Sequence, residues 1–500
     1  MQDQILFWNA VSLEANRQSH SGSGDVGVNG PTLSSRALAM VHLAMYDAYV
    51  GTSPGTALVS YLGLPSAAAG ASTDVAIATA AHAVLSKLYP KQKPYFDAQH
   101  ASLNISPAGY DEGFSFGMRV ATTMWNLRQN DPGDSDDGFA PSFAKGRHRP
   151  DPNNPAPNNA PFYGAGSNCF AATRRWGIAP PPALASADYT RAVRQVRSKG
   201  IKPELMGTVS FASRRTSEET LIGIYWGYDG ANGLGTPPRF FNQIIRHIAM
   251  NVPNPATGVV NNLEQNAHLF AMANAAMGDA GILAWEQKYK HNFWRPILGI
   301  REHDNSMGVV GVGGGNFNEN LCDPCWLPLG APKTNIKGEN DFTPPFPAYP
   351  SGHATFGAAA LHITRLFYGV PIGNFQPDNI TNGLTFVSDE FNGVNHDSNG
   401  TTRPKHVRAF PDGLWQMIFE NGLSRVFLGV HWYFDAFDLV PNALNPGGAD
   451  GRDVAINEMD INVNAAVPTM VGIGGVPLGL AIAEDIFANG LIAANAINHP

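Results

Sequence analysis

Apolar residues recur at intervals of three and four through long stretches of this chain, and almost nowhere do they alternate with polar ones. That pattern favours helices over an extended sheet, because a strand turns every second side chain to one face and a helix every third or fourth. Leu38, Val41, Met45 and Tyr46 show the helical interval within 36–50, a segment that Ser35 can cap. The same reading places helices over 73–89, 112–127, 217–228, 239–250, 262–290, 353–368, 413–428 and 478–489. The expected class is therefore all-α, packed as bundles.

With 500 residues the chain exceeds what one simple core holds, so two or three structural units are expected. Hydrophobic residues make up 43% and charged ones only 15%, the balance of a compact protein with a modestly charged surface. A formal charge of -8 argues against general affinity for nucleic acid or an anionic membrane, so any anion site has to be local. The uncharged stretch 461–483 is broken by Pro468, Pro477 and several glycines, and reads as a buried loop entering a last helix rather than a membrane span. No basic segment followed by an apolar run opens the chain, so no secretory signal is visible, and a soluble protein is expected. Cys169, Cys322 and Cys325 are too few for a disulfide scaffold. The Cys322–Cys325 spacing lacks the second pair that zinc would need.

Residues 130–184 fit neither period and collect Pro, Gly, Asn and Asp, as in DPNNPAPNNAPF, which marks a long loop of the kind that also lines active sites. It supplies a rough boundary between an N-terminal helical unit with its loop, 1–200, and a C-terminal unit, 201–500. The run GVGGGNFN in the irregular region 303–350 lacks the lysine and hydroxyl of a phosphate-binding loop and reads as a connector.

Three segments of the C-terminal unit carry groups suited to one oxyanion. In the first, Lys288 precedes Arg295 by seven residues, about two helical turns, and Arg295 stands between Trp294 and Pro296, where an indole can shield its guanidinium from water. In the second, Ser351, Gly352 and His353 open a helix, whose unpaired N–H groups and positive dipole end attract anions. The third is Ser424-Arg425-x3-Gly429-x-His431-x3-Asp435. There Gly429 can bend the chain between Arg425 and His431, and Asp435 can accept the ring N–H of His431. Separately, each has a plain structural reading. Together they form a multi-donor cage for a tetrahedral oxyanion.

In this order the motifs resemble those of the superfamily of vanadium-dependent haloperoxidases and type-2 phosphatidic-acid-phosphatase-like acid phosphatases. Stretches such as ILFWNAVSLEANR, YWGYDGANGLGTPPRFFNQI, FTPPFPAYPSGHATFG and SRVFLGVHW extend the similarity to the fungal chloroperoxidase branch over nearly the whole chain. The resemblance implies two four-helix bundles with long irregular loops and vanadate held at the end of the second. It implies His431 as the vanadium ligand, with Lys288, Arg295, Ser351, Gly352, His353 and Arg425 around the oxide oxygens. His353 would be the acid–base group, helped by Lys288, and Asp229 would pair with Arg425. Trp285 and Phe346 would lie near the halide, a phenylalanine at 346 leaning towards chloride competence. Hydrogen peroxide, halide and small organic acceptors would be the reaction partners, and phosphate a competing anion.

Two other readings use the same residues. In an acid phosphatase His431 would attack phosphorus, forming a phosphohistidine, and His353 would protonate the leaving group. A non-catalytic anion-binding protein would keep the cage without turnover. The family asymmetry ranks the haloperoxidase first, because the phosphatases share only the three motifs. Neither the compartment nor the oligomeric state follows from the sequence.

Overall fold

The computed structural model describes residues 3–22, 25–105, 107–302, 322–441, 459–462 and 470–492. Among them the N-terminal helices are α1 (Gln4–Ser19), α2 (Gly30–Thr52), α3 (Thr73–Leu88), α4 (Lys93–Ser102), α5 (Tyr110–Arg128), α6 (Tyr163–Gly166) and α7 (Ala187–Lys199). The remainder are α8 (Ser217–Tyr225), α9 (Pro237–Asn251), α10 (Leu263–His291), α11 (Pro296–Arg301), α12 (Gly352–Phe367), α13 (Gly413–Phe427) and α14 (Gly475–Asn489). Strands occur as two short pairs. Gly177–Ile178 runs parallel to Met470–Val471, and Asp438–Pro441 antiparallel to Met459–Asn462. The all-α expectation holds.

One group of helices joins α2, α3 and α5, with α1 alongside, and a second surrounds α12, which packs against α9, α10, α13 and α14; α2 and α10 bring the two groups together. Small residues let α14 run close to α12. A Cβ on Gly475 would stand 2.5 Å from the Ser351 carbonyl, and one on Gly479 2.5 Å from that of Thr355. Nothing larger than glycine fits there, so this contact fixes the start of α12.

Sequence and structure differ at several boundaries. Helix α2 starts at Gly30, with Pro31 in its first turn, and not at position 36; Ser35 lies inside it and bonds the Thr32 carbonyl. Helix α8 stops at Tyr225, short of position 228. The helices α1, α4 and α7 were not foreseen. In α7 a narrow stripe of Tyr189, Ala192, Val193 and Val196 is buried among charged neighbours. The GVGGGNFN run lies outside the described residues. Cys169 and Cys325 are free thiols, one buried and one exposed. No described helix is long and apolar enough to cross a membrane.

Candidate active site

Lys288, Arg295 and Arg425 are each at most 1% exposed, inside a protein that keeps most of its charges outside. Their positions follow from how three helices end or begin. Helix α10 opens with a reciprocal cap between Asn262 and Gln265 and closes at Asn292, in the left-handed conformation (φ +48°) that asparagine tolerates. Pro296 then starts α11, leaving Arg295 extended at its N-cap. Helical phase therefore does not align Lys288 with Arg295, as the seven-residue spacing suggested; the chain turns between them. Helix α13 ends at Phe427, and Gly429, at φ +73° with its Cα against Gly200, turns the chain towards His431.

Two tryptophans join the turns. Trp432 Nε1 donates to the Trp294 carbonyl at 2.9 Å, and Trp294 Nε1 donates to the Tyr189 hydroxyl at 3.0 Å. The ring over Arg295 is Phe346, 4.9 Å from the guanidinium carbon. Trp294 acts as a staple, and the ring stacked over the guanidinium comes from a residue 51 positions away.

His431 Nδ1 lies 2.8 Å from Asp435 Oδ2, an oxygen that also accepts the Trp432 N–H, so the Nδ1 proton goes to the carboxylate. A 3-10 turn at Tyr433–Asp435 provides the spacing. The bare Nε2 faces the Arg295 guanidinium at 2.8 Å. Burial, then Arg295, Lys288 and Arg425, holds His431 well below the usual histidine range. Burial pushes Asp435 up to about 7 against the pull of Lys288.

Arg425 forms a two-pronged pair with Asp229, both bonds 2.8 Å. Burial works against the Asp229 carboxylate, but Arg425 and His353 outweigh it and hold its pKa below the ordinary range. His353 Nε2 stands 4.0 Å from Asp229 Oδ1. Burial, reinforced by Arg425, lowers His353 to about 3, so its ring is neutral around pH 7.

Ser351 caps α12 by accepting the Ala354 N–H, which leaves its hydroxyl proton free to donate. A Cβ on Gly352 would press on Trp285 at 3.1 Å. Lys288 departs from the expected direct role: its ammonium donates to the carbonyls of Pro347, Ala348 and Pro350 and thereby uses all three hydrogens. Burial, then Arg295, depresses its pKa, and the three carbonyls oppose that by favouring the charged form.

A cavity of about 130 Å³ is lined by Asp229, Gly352, His353, Arg425 and His431 together with mainly apolar groups that include Trp285 and Phe346. These two rings are 4.8 Å apart. Asn159, from the long loop, also lines it. Neither Asn159 nor the Trp432–Trp294–Tyr189 staple was foreseen, since loop asparagines and core aromatics carry no sequence signal of their own.

The cluster sets three cations, Lys288, Arg295 and Arg425, against two carboxylates, Asp229 and Asp435. Among the described residues Arg295 forms no ion pair with a carboxylate. Arg295 Nη2, Arg425 Nε and His353 Nε2 are buried without hydrogen-bond partners. Leaving such atoms unsatisfied costs roughly 1–3 kcal/mol each, more when charged. A tetrahedral oxyanion beside His431 Nε2 would satisfy the two guanidinium donors and balance the charge, so the donor set fits vanadate.

A buried cationic pocket in a helical bundle, with one imidazole nitrogen held free of its proton, defines an oxyanion-binding bundle protein. Residues 1–161 match the family model of the vanadium chloroperoxidase N-terminal domain, and residues 268–439 that of the second helical-bundle domain of the same family. The chain is 37% identical over 570 residues to vanadium chloroperoxidase of Curvularia inaequalis, covering 97% of this chain and 90% of the relative. It belongs to the vanadium chloroperoxidase family. A bacterial vanadium-dependent iodoperoxidase has a similar fold (TM-score 0.62, 18% identity, 96% of each chain). So does the holo form of a bacterial vanadium-dependent chloroperoxidase (TM-score 0.57, 16% identity, 95% of this chain and 96% of that one).

Proposed function

We propose that this chain is a vanadium-dependent haloperoxidase, an oxidoreductase whose cofactor is vanadate and whose substrates are hydrogen peroxide and a halide. The observation that carries the reading is the surplus of buried cationic donors around a His431 Nε2 kept bare by Asp435. Relatedness over nearly the whole chain supports it over the phosphatase alternative.

His431 would hold the vanadium through Nε2, and Arg295, Arg425, the Ser351 hydroxyl and the Gly352 N–H would serve its oxygens. When bound, vanadate supplies Lewis acidity towards peroxide without changing oxidation state. Overall, peroxide, halide and one proton give hypohalous acid and water, the halide losing the two electrons that the O–O bond gains. His353, neutral and unpartnered at Nε2, accepts a peroxide proton and returns one to the departing oxygen. Asp229 holds Arg425 in place and tempers the charge beside His353. Lys288 contributes its charge and ties down the 347–350 turn that precedes Ser351. The Trp285–Phe346 wall keeps water from the halide, and Phe346 favours chloride competence alongside bromide. Small organic molecules accept the halogen, and phosphate competes for the cage. The two family models support an N-terminal unit within 1–200 and a site-bearing unit within 201–500.

Orthovanadate added to the apoprotein is expected to switch on peroxide-dependent bromination of a phenol dye. Cleavage of p-nitrophenyl phosphate that vanadate inhibits, with no bromination, would overturn the reading in favour of a phosphatase.

A further inference from the structure

The cavity has an apolar wall with one polar side chain among those that line it. Pro31, Pro237, Trp285, Phe342, Pro344 to Phe346 and Phe356 offer no hydrogen bond to an anion from their ring faces, and Asn159 sits among them. Its backbone is fixed on both sides. The Asn159 N–H donates to the Pro345 carbonyl at 2.9 Å, and its own carbonyl accepts from Trp285 Nε1 at 3.2 Å and from the Tyr289 hydroxyl at 2.7 Å. Asn159 thus joins the long loop to both the segment and the helix that carry Phe346 and Trp285. Its side-chain amide takes no part in this: Oδ1 is buried without a partner among the described residues. Nδ2 lies beside Gly30 at the start of α2, 3.4 Å from where a Cβ on that glycine would be.

We infer that Asn159 is a halide-binding residue, its Nδ2 donating to the ion against the apolar wall. The inference rests on the haloperoxidase reading. A halide accepts hydrogen bonds and makes none, so only the donor half of the amide can serve it. The apolar ring faces offer the ion no hydrogen bond, so the amide donor is the polar contact which that wall supplies. The first turn of a 23-residue helix on the same wall adds a dipole of favourable sign.

The test compares vanadate-loaded wild type with Asn159→Leu and Asn159→Asp. Loss of one hydrogen bond to an ion should raise the KM for bromide and chloride roughly tenfold in Asn159→Leu. The peroxide KM and vanadate retention should stay near wild type, and Asn159→Asp, which places a carboxylate beside the halide, should raise the halide KM further. Bromide-soaked crystals of the wild-type apoprotein should show anomalous density within hydrogen-bond reach of Nδ2, which Asn159→Leu abolishes. Unchanged halide KM in both variants would overturn the proposal. So would parallel shifts in the peroxide and halide constants, which indicate a loop-holding role, or a rise confined to the KM of the phenol. Wild type that retains vanadate yet brominates nothing would instead overturn the functional reading on which the proposal stands.

Discussion

The Arg295 guanidinium and the bare Nε2 of His431 meet at 2.8 Å, across 136 residues of chain. A guanidinium facing a proton-free imidazole nitrogen makes an acceptor and a cation available at one point, which is what a ligated oxyanion requires. The contact depends on both ends being fixed: Asp435 holds the His431 proton on Nδ1, and the Trp432–Trp294 bond holds the two backbones together.

Replacing Asp435 by Ala removes the acceptor that sets the His431 tautomer. Vanadate affinity should fall roughly 10–100-fold, as is usual when the partner of a ligating histidine is lost. Equilibrium dialysis of the apoprotein with orthovanadate measures this, and wild-type affinity would remove Asp435 from that role.

Truncation of Lys288 to Ala should weaken the protein even without vanadate, because three buried carbonyls lose their donor. A loss of at least about 2 kcal/mol is expected from desolvated groups left unpaired. Urea unfolding of the apoprotein decides it. A lysine that served only the anion would leave apoprotein stability unchanged.

Asp229→Ala leaves Arg425 buried without its carboxylate, a change of the kind that costs about 3–5 kcal/mol. Orthovanadate, as a replacement anion, should then raise the melting temperature of the variant by more than it raises that of wild type. Equal increments would argue that Arg425 does not face the bound anion.

His42 tests the acid limb of stability at a distance from the site. Burial lowers its pKa from 6.5 to about 4, with Nδ1 on the Leu38 carbonyl. Its contribution is complete above pH 6.5, where both folded and unfolded forms are neutral. It is lost as pH falls towards about 4, because only the unfolded chain takes the proton. At pH 5 the loss is about 2 kcal/mol. His42→Gln should flatten the decline in urea midpoint between pH 7 and pH 5, and an unchanged slope would rule His42 out as its source.

Much of the site could be read from the sequence because its chemistry is written in short local patterns. Ser351 caps α12 as its place before an apolar helical run indicates, and Asp435 reaches His431 from four residues away. Local patterns failed where the partner is remote. Lys288 was expected to reach for the anion, yet it binds carbonyls about 60 residues on. Trp294 or its neighbours were expected to desolvate Arg295, and the ring over the guanidinium is the remote Phe346. Adjacency in sequence says little about which face of a turn a side chain leaves from, and at Asn292 the backbone conformation sends the chain off the helical path.

The amino-acid order alone determined that the chain is helical, that its net negative charge confines any anion site to a local cluster, and which charged groups compose that cluster. Periodicity and cap chemistry act over one or two turns, so they are visible in a string of letters. Tertiary packing decided that Lys288 is buried with all three hydrogens on backbone carbonyls while Arg295 is buried with only part of its donors satisfied, that Asn159 enters the cavity wall, and that three polar atoms are left unpartnered beside His431. Those outcomes depend on helix–helix contact at glycines such as Gly475 and on hydrogen bonds between distant turns, and such contacts have no period to read.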